Sequence, residues 1–191
     1  ESMSTPGFID LNENEQVLEL RSYLKSKGGA ISEENAEAGL IADLQQVIHA
    51  TDVLWKEITN DQDLESVFNS IVSLVLIVPQ DKNDGLIAAL YEQLSRAPAS
   101  DRHASARIRL LYTLFHGLEE RSAHRYNVYL SMIKMSVNAD LLHLVSPKLD
   151  QVKKWLAVWN VGTQKAQVLL RALHDAFVSA KQSDKATKVM I

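Results

Sequence analysis

Two histidines have neighbours that could take part in chemistry, since imidazole and carboxylate groups bind metals and transfer protons. His116 and Glu119 lie three positions apart in a segment with helical periodicity, so both are expected on one face of a helix. One such pair predicts a metal site only weakly, and ordinary surface or cap hydrogen bonding is the favoured interpretation. His124, beside Arg125, is interpreted as a polar residue in the first turn of a helix.

Motifs that carry catalysis or nucleotide binding are absent from the sequence. There is no glycine-rich phosphate loop, no G-x-S-x-G nucleophile elbow and no H-E-x-x-H zinc motif. The chain has no cysteine, which excludes disulfides and thiolate metal sites. We therefore predict that the protein is not an enzyme and that it has no catalytic residue, no cofactor and no metal ligand.

Two tryptophans and two lysines share one short segment of the chain. Trp155 and Trp159 lie about one helical turn apart, a spacing that could present a stacking platform for nucleic-acid bases. The same spacing, with Leu156 between the rings, is typical of a packed helix face, and core packing is the favoured interpretation. Lys153 and Lys154 are expected on the solvated face of this helix.

Charge is distributed unevenly along the 191 residues, whose net charge is −4. Residues 1–95 contain 5 Lys and Arg against 17 Asp and Glu, a balance of −12, whereas residues 96–191 contain 15 against 7, a balance of +8. One interpretation is that solvated helix faces differ in composition without functional meaning. The other is an acidic half that faces proteins and a basic half that lies near RNA or an acidic neighbour.

The elements that must position these side chains are helices, and the clearest pair is predicted over 104–118 and 122–137. In each, apolar residues recur at steps of three and four, and a polar break separates the two stripes. Gly117 is expected to stop the first helix in a left-handed conformation, and Ser122 to cap the second. The short connection predicts that the two helices pack as an antiparallel hairpin.

The same periodicity predicts helices ahead of this hairpin. A long helix is expected to include 44–58, and Gly39 is expected to break the segment before it. Asp61 or Asp63 is expected to cap the following helix. That helix must end before Pro79, because proline disfavours a helical residue ahead of it.

Helices are also predicted around and beyond the hairpin. A loop over 97–103 is expected to be the joint at which the charge changes sign, and a later helix is expected to reach Asn160. Thr163 is expected to cap the next helix, and Ser183 to open the last one. Because 189–191 are apolar and no stop signal follows, we expect a chain cut from a longer protein. These three residues are expected to lie against the preceding helix or to protrude, with apolar surface exposed at the cut.

Eight or nine helices with short connections predict an all-α fold, either a compact bundle or a solenoid of stacked hairpins. Most of the predicted helices carry apolar residues on more than one side, as an inner layer packed by both neighbours requires. The solenoid is therefore preferred: a right-handed α-solenoid of stacked antiparallel helix hairpins, of HEAT/TPR-like type. The tetratricopeptide and ankyrin signatures are absent. We therefore expect the helix hairpins to repeat in structure without a repeated sequence motif.

Seven stretches distributed along the chain resemble one known family. They are FIDLNE at 8–13, LRSYLKSKG at 20–28, ISEEN at 31–35, LLYTLFHGL at 110–118, RYNVYLSMIK at 125–134, LDQVKKW at 149–155 and SDKATKVM at 183–190. Together, and in this order, they resemble the M-subunit family of eukaryotic translation initiation factor 3. Because they extend over most of the chain, the resemblance is more specific than any single short motif.

This resemblance implies a non-catalytic scaffold subunit, in which a helical-repeat region precedes a PCI domain that ends in a winged helix. The implied partners are the F and H subunits of MPN type and other PCI subunits of the factor, in the cytoplasm and away from membranes. The implied role is assembly of the pre-initiation complex on the small ribosomal subunit through protein–protein contacts. The chain is expected to form a single helical-repeat domain, 1–191, with 1–95 its acidic half and 96–191 its basic half, truncated before most of the PCI domain.

Two alternative roles stay open from the sequence. PCI subunits also build the COP9 signalosome, so this chain could be shared with that complex. The basic half could instead bind RNA directly.

A set of exposed cations in the basic half is the candidate interaction surface. Its predicted members are Arg121, Arg125, Lys153, Lys154 and Arg171. Because a solenoid maps sequence order onto length, the acidic and basic halves are expected at opposite ends of an elongated molecule.

Overall fold

The computed structural model describes residues 34–79, 81–96, 102–145 and 148–189, and within these ranges every regular element is a helix. The ten helices of the described ranges are α1 (Glu34–His49), α2 (Asp52–Glu57), α3 (Asp61–Ile77), α4 (Asp84–Ser95), α5 (Ala104–Gly117), α6 (His124–Asn138), α7 (Leu142–Val145), α8 (Leu149–Trp159), α9 (Gly162–Ser179) and α10 (Ser183–Val189). None of these helices has the length and hydropathy needed to cross a membrane.

The chain divides into two compact units, Glu1–Gln93 and Leu94–Ile191. Helices α1 to α3 and most of α4 belong to the first unit, and α5 to α10 belong to the second. The division falls within three residues of the point where the charge balance changes sign. The single helical-repeat domain over 1–191, and the placement of its two halves at opposite ends, stay predictions.

The first unit has its core among α1, α2 and α3. Helix α1 packs against α3, and the Trp55 ring of α2 stacks on the Phe68 ring of α3 with 4.6 Å between their centroids. The Gln93 side-chain amide donates a hydrogen bond to the Asp52 carboxylate, which joins α4 to α2. The fully buried side chains of this core include Leu44, Ile48, Leu54, Leu64, Ile71 and Leu86.

Two predictions for the start of this unit are wrong. Gly39 lies inside α1, and the long helix expected over 44–58 is two helices with a break at 50–51. At the break Thr51 is fully buried, and its hydroxyl donates to the Ile48 carbonyl at 2.6 Å. This side-chain hydrogen bond competes with the backbone hydrogen bonds of a continuous helix. The helical spacing of apolar residues continues across the break because both helices bury side chains in the same core, and this spacing therefore predicted one helix.

Helix α3 is bounded by a cap and by a proline. Its cap is Asn60 rather than Asp61 or Asp63, because the Asn60 side-chain oxygen accepts the backbone N–H groups two and three positions on, at 2.8 and 3.4 Å. The two aspartates lie in the first turn instead, where a negative charge is favourable. The helix ends at Ile77 and the residue before Pro79 is extended, which confirms the predicted stop.

The predicted hairpin of the second unit is confirmed: α5 and α6 pack on each other across a six-residue connection, 118–123. Gly117 is the last residue of α5 but does not have a positive φ, so the expected left-handed stop is wrong. The chain leaves the helix through Leu118 in an extended conformation. The predicted cap at Ser122 is wrong, because α6 begins at His124 and its N-cap position is Ala123, which makes no side-chain cap hydrogen bond. The Ser122 hydroxyl still accepts the His124 backbone N–H, at 3.2 Å.

A tight turn joins α8 to α9 in the second unit. Asn160 ends α8 with a φ of 50°, in agreement with the predicted end of this helix. Gly162 opens α9 with a φ of 85°, a conformation that glycine adopts without the clash of a Cβ atom. Thr163 therefore lies in the first turn of α9 rather than at its cap, which corrects the prediction.

The predicted all-α class is confirmed for the described residues, and helices within each unit pack on their neighbours as in a helical solenoid. The right-handed sense stays a prediction. Helix α10 begins at Ser183 as predicted. Val189 at its end is buried, as expected if it lies against the preceding helix. Met190 and Ile191 lie outside the described residues, and so does most of the loop expected over 97–103.

Candidate interaction surface

An aromatic cluster holds α8 against the α5–α6 hairpin. Phe115 of α5 is its centre and is only 1% exposed. Its ring meets Trp155 and Trp159 of α8 edge-to-face, at 5.0 and 6.0 Å between centroids, and lies 5.3 Å from the Tyr129 ring of α6. Edge-to-face aromatic pairs are favourable beyond the area that they bury. Helix α8 is therefore held through its aromatic face, which leaves its opposite face to carry charge.

The two tryptophans are packed inside the second unit rather than displayed for base stacking. Their rings lie nearly parallel, 6.0 Å apart with an interplanar angle of 13°. The Trp159 indole N–H donates to the Glu120 carbonyl at 3.0 Å, and the half-buried Trp155 ring meets Tyr129 edge-to-face at 5.3 Å. These contacts confirm the core-packing interpretation over the base-stacking platform.

The prediction that Arg125 is exposed is wrong. Its side chain is 8% exposed, and its guanidinium lies 4.6 Å from the centroid of the Phe115 ring and donates to the Leu118 carbonyl at 2.9 Å. Burial lowers the pKa of Arg125, and the nearby Glu120 acts in the opposite direction. Arg125 thus ties the first residue of the hairpin connection to α6, and it is not presented to a partner.

The other four predicted members of the surface are exposed. Arg121 lies in the hairpin connection, Lys153 and Lys154 lie on α8, and Arg171 lies on α9. These positions are spread over three segments of the second unit, and no single groove brings the four together. Their role as an interaction surface stays a prediction.

One of the four, Lys154, lines a surface groove of about 500 Å³ at the start of α8. The lining residues are Lys148, Leu149, Asp150, Gln151, Lys154 and Lys188. We call this feature the lysine groove. Within the described residues, none of its three lysines lies within 4.0 Å of a carboxylate, so their charges are not compensated by ion pairs.

Sequence reasoning missed Lys148 and Lys188, which complete the lysine groove. They are forty positions apart, and no local spacing rule relates residues at that separation. Only the return of the chain along α9 and α10 brings Lys188 beside the start of α8. Lys153, although adjacent to Lys154 in the sequence, does not line the groove, because neighbouring positions on a helix point about 100° apart.

The predicted alignment of His116 and Glu119 on one helix face is wrong, because α5 ends at Gly117 and Glu119 lies in the connection. The His116 ring instead lies 4.3 Å from the Tyr112 ring and 5.0 Å from the Phe115 ring. In the part of the chain that the structure describes, no group of three or more metal-binding side chains is clustered. His124 is the first residue of α6, in agreement with its interpretation as a first-turn residue.

We expect protonation of His116 to destabilise the second unit. Partial burial, and the positive charge of Arg125, lower the pKa of His116 below its ordinary value. As the pH falls below about 6.5, the unfolded chain therefore takes up a proton that the folded chain resists, and the free energy of unfolding decreases. The effect should be modest because the side chain is exposed to solvent.

Urea denaturation of the wild type and of His116→Gln at pH 7.5 and pH 5.5 measures this effect. The wild type should lose more stability between the two pH values than the variant, which cannot titrate at this position. Equal losses in the two proteins would show that His116 does not contribute.

Comparison with curated proteins gives a consistent result for the whole chain. The sequence is 49% identical over 189 residues to "Eukaryotic translation initiation factor 3 subunit M" of Bos taurus and of Homo sapiens, and 48% identical to that of Mus musculus. The chain is similar to subunit M along its whole length. Each match covers 99% of this chain. No protein-family model matches the chain.

The chain spans about half the length of the curated relatives that it matches, since 189 residues correspond to 50% of each relative. The similarity covers both compact units, and it confirms the resemblance carried by the seven sequence stretches. Those relatives are named as a subunit of a translation initiation factor.

Proposed function

We propose that this chain is part of a non-catalytic scaffold subunit of eukaryotic translation initiation factor 3. In this role it supports assembly of the pre-initiation complex on the small ribosomal subunit through protein–protein contacts, in the cytoplasm. Its direct partners are other subunits of the factor, with the F and H subunits as the first candidates and the PCI subunits as the next. The observation that carries the proposal is the 49% identity over 99% of the chain.

The described architecture is well suited to this role. Within the second unit, helices that pack on one another leave exposed faces to which partner proteins can bind. The exposed cations Arg121, Lys153, Lys154 and Arg171 are the proposed partner-facing residues of the second unit. Contacts of such cations at the rim of an interface speed association and favour the correct partner more than they raise affinity.

Affinity purification of the tagged chain from human cells tests the proposal. We expect the F and H subunits and other subunits of the factor to co-purify in similar amounts, as identified by mass spectrometry. A matched tag fused to an unrelated helical protein is the control. Recovery of COP9 signalosome subunits without initiation-factor subunits would contradict the proposal and favour the alternative complex.

A filter-binding titration of the purified chain with RNA tests the competing mechanism. If the scaffold role is correct, the chain alone should bind single-stranded RNA weakly at physiological salt, because its tryptophans are occupied in the core. Tight binding that weakens steeply with added salt would indicate that the basic half acts on RNA directly.

A further inference from the structure

We propose that the lysine groove, lined by Lys148, Lys154 and Lys188, binds an acidic peptide segment of a partner protein. The inference rests on the proposed scaffold function, since it assigns a chemical class of ligand to one partner-facing surface. Of the six described residues that line the groove, three are cations and one is a carboxylate. Among the described residues these cations have no ion-pair partner, so an incoming carboxylate replaces water rather than an existing salt bridge.

The remaining lining residues are compatible with a peptide. Leu149 is partly buried and offers apolar contact to a side chain, while the exposed Gln151 amide can both donate to and accept from a peptide backbone. A volume of about 500 Å³ lies within the range of about 300–1,000 Å³ that is usual for ligand pockets. The groove therefore has room for a few residues of an extended segment, in which acidic side chains can reach the lysines.

A nucleic acid fits the lysine groove less well than an acidic peptide does. Sites for single strands combine basic residues with aromatic rings on which bases stack, and none of the described residues that line this groove is aromatic. Trp155 and Trp159, the aromatic residues of α8, pack against Phe115 instead. Asp150 in the lining repels phosphate groups, whereas a peptide can place a neutral or basic residue opposite it.

The sequence provides a matched pair of variants for the test. Lys154 lines the groove and Lys153 does not, although both are exposed, lie on α8 and carry the same charge. Lys154→Glu and Lys153→Glu therefore change the net charge of the protein by the same amount, and only one of them changes the groove. Lys188→Glu is a second groove variant, on a different helix. Because all three side chains are exposed, each variant should retain the wild-type circular dichroism spectrum.

Fluorescence polarisation of the chain with two labelled probes, at 50 mM and 300 mM salt, decides the question. The probes are a ten-residue peptide of glutamates with a central leucine and a ten-nucleotide polyuridine. We expect the peptide to bind more tightly than the RNA at both salt concentrations. Lys154→Glu and Lys188→Glu should each weaken peptide binding at least fivefold, while Lys153→Glu should change it less than twofold.

Three outcomes would overturn the proposal. They are the absence of peptide binding at 50 mM salt, tighter binding of the RNA than of the peptide, and equal weakening by Lys153→Glu and Lys154→Glu. The last outcome would mean that only the overall positive charge matters. Failure of the scaffold function has a separate readout, since it would be seen in the affinity purification as loss of initiation-factor subunits.

Discussion

Replacing Phe115 by alanine is expected to lower the free energy of unfolding by about 3–5 kcal/mol, the usual range for truncating a fully buried phenylalanine. Its ring contacts both tryptophans of α8, Tyr129 of α6 and the Arg125 guanidinium. Its removal leaves a cavity at the point where three helices meet, and it also removes the edge-to-face aromatic contacts. Thermal melts followed by circular dichroism should show a melting temperature lower by about 10 °C or more.

Tyr112→Ala is the matched control for this variant. Tyr112 lies on the same helix and is also aromatic, but it is 45% exposed and its ring packs on the ring of His116. We expect its replacement to change the free energy of unfolding by less than about 1 kcal/mol. If Phe115→Ala and Tyr112→Ala had similar effects, the cluster around Phe115 would not be the core of the second unit.

Replacing Arg125 by alanine is expected to destabilise the chain by about 2–4 kcal/mol. A hydrogen bond to a charged group contributes about 1.5–3 kcal/mol, and stacking of the guanidinium on Phe115 adds to this. The variant would also leave the Leu118 carbonyl without this donor at the start of the hairpin connection. Arg125→Lys should recover only part of the loss, because an ammonium group cannot reproduce the planar stacking of a guanidinium.

Arg121→Ala tests whether burial, rather than charge, is responsible. Arg121 lies in the same connection but is exposed, so its replacement should stay within about 0.5 kcal/mol of the wild type. Urea denaturation at neutral pH measures both variants. Equal destabilisation by Arg121→Ala and Arg125→Ala would indicate a general effect of positive charge in this region rather than the specific contacts of Arg125.

Features of this protein that depend on neighbours within a few positions could be predicted from the amino-acid sequence. Helical periodicity predicted the hairpin of α5 and α6, and Pro79 predicted the end of α3. Such signals are reliable because a helix repeats every 3.6 residues and because the steric effect of a proline acts on the residue before it. The lack of catalytic motifs and the family resemblance could likewise be recognised from the amino-acid sequence.

The sequence did not show which of several possible caps and stops a helix uses. Asn60, Asp61 and Asp63 can each cap a helix, and the difference lies in which side-chain oxygen reaches the free N–H groups of the first turn. Gly39 can end a helix or lie inside one, since the unfavourable free energy of a helical glycine is only about 1 kcal/mol. In both places the surrounding structure selected one of several locally acceptable conformations.

Tertiary structure alone decided the burial of Arg125 and the composition of the lysine groove. From the sequence, an arginine near the start of a helix is expected to be a solvated cation. Arg125 is buried instead, because the Phe115 ring of α5 and the Leu118 carbonyl of the connection both contact its guanidinium. Lys148 and Lys188 share a groove because α9 and α10 return the chain to the start of α8. Both outcomes depend on contacts between segments, and no periodicity within a segment encodes which other segment will lie against it.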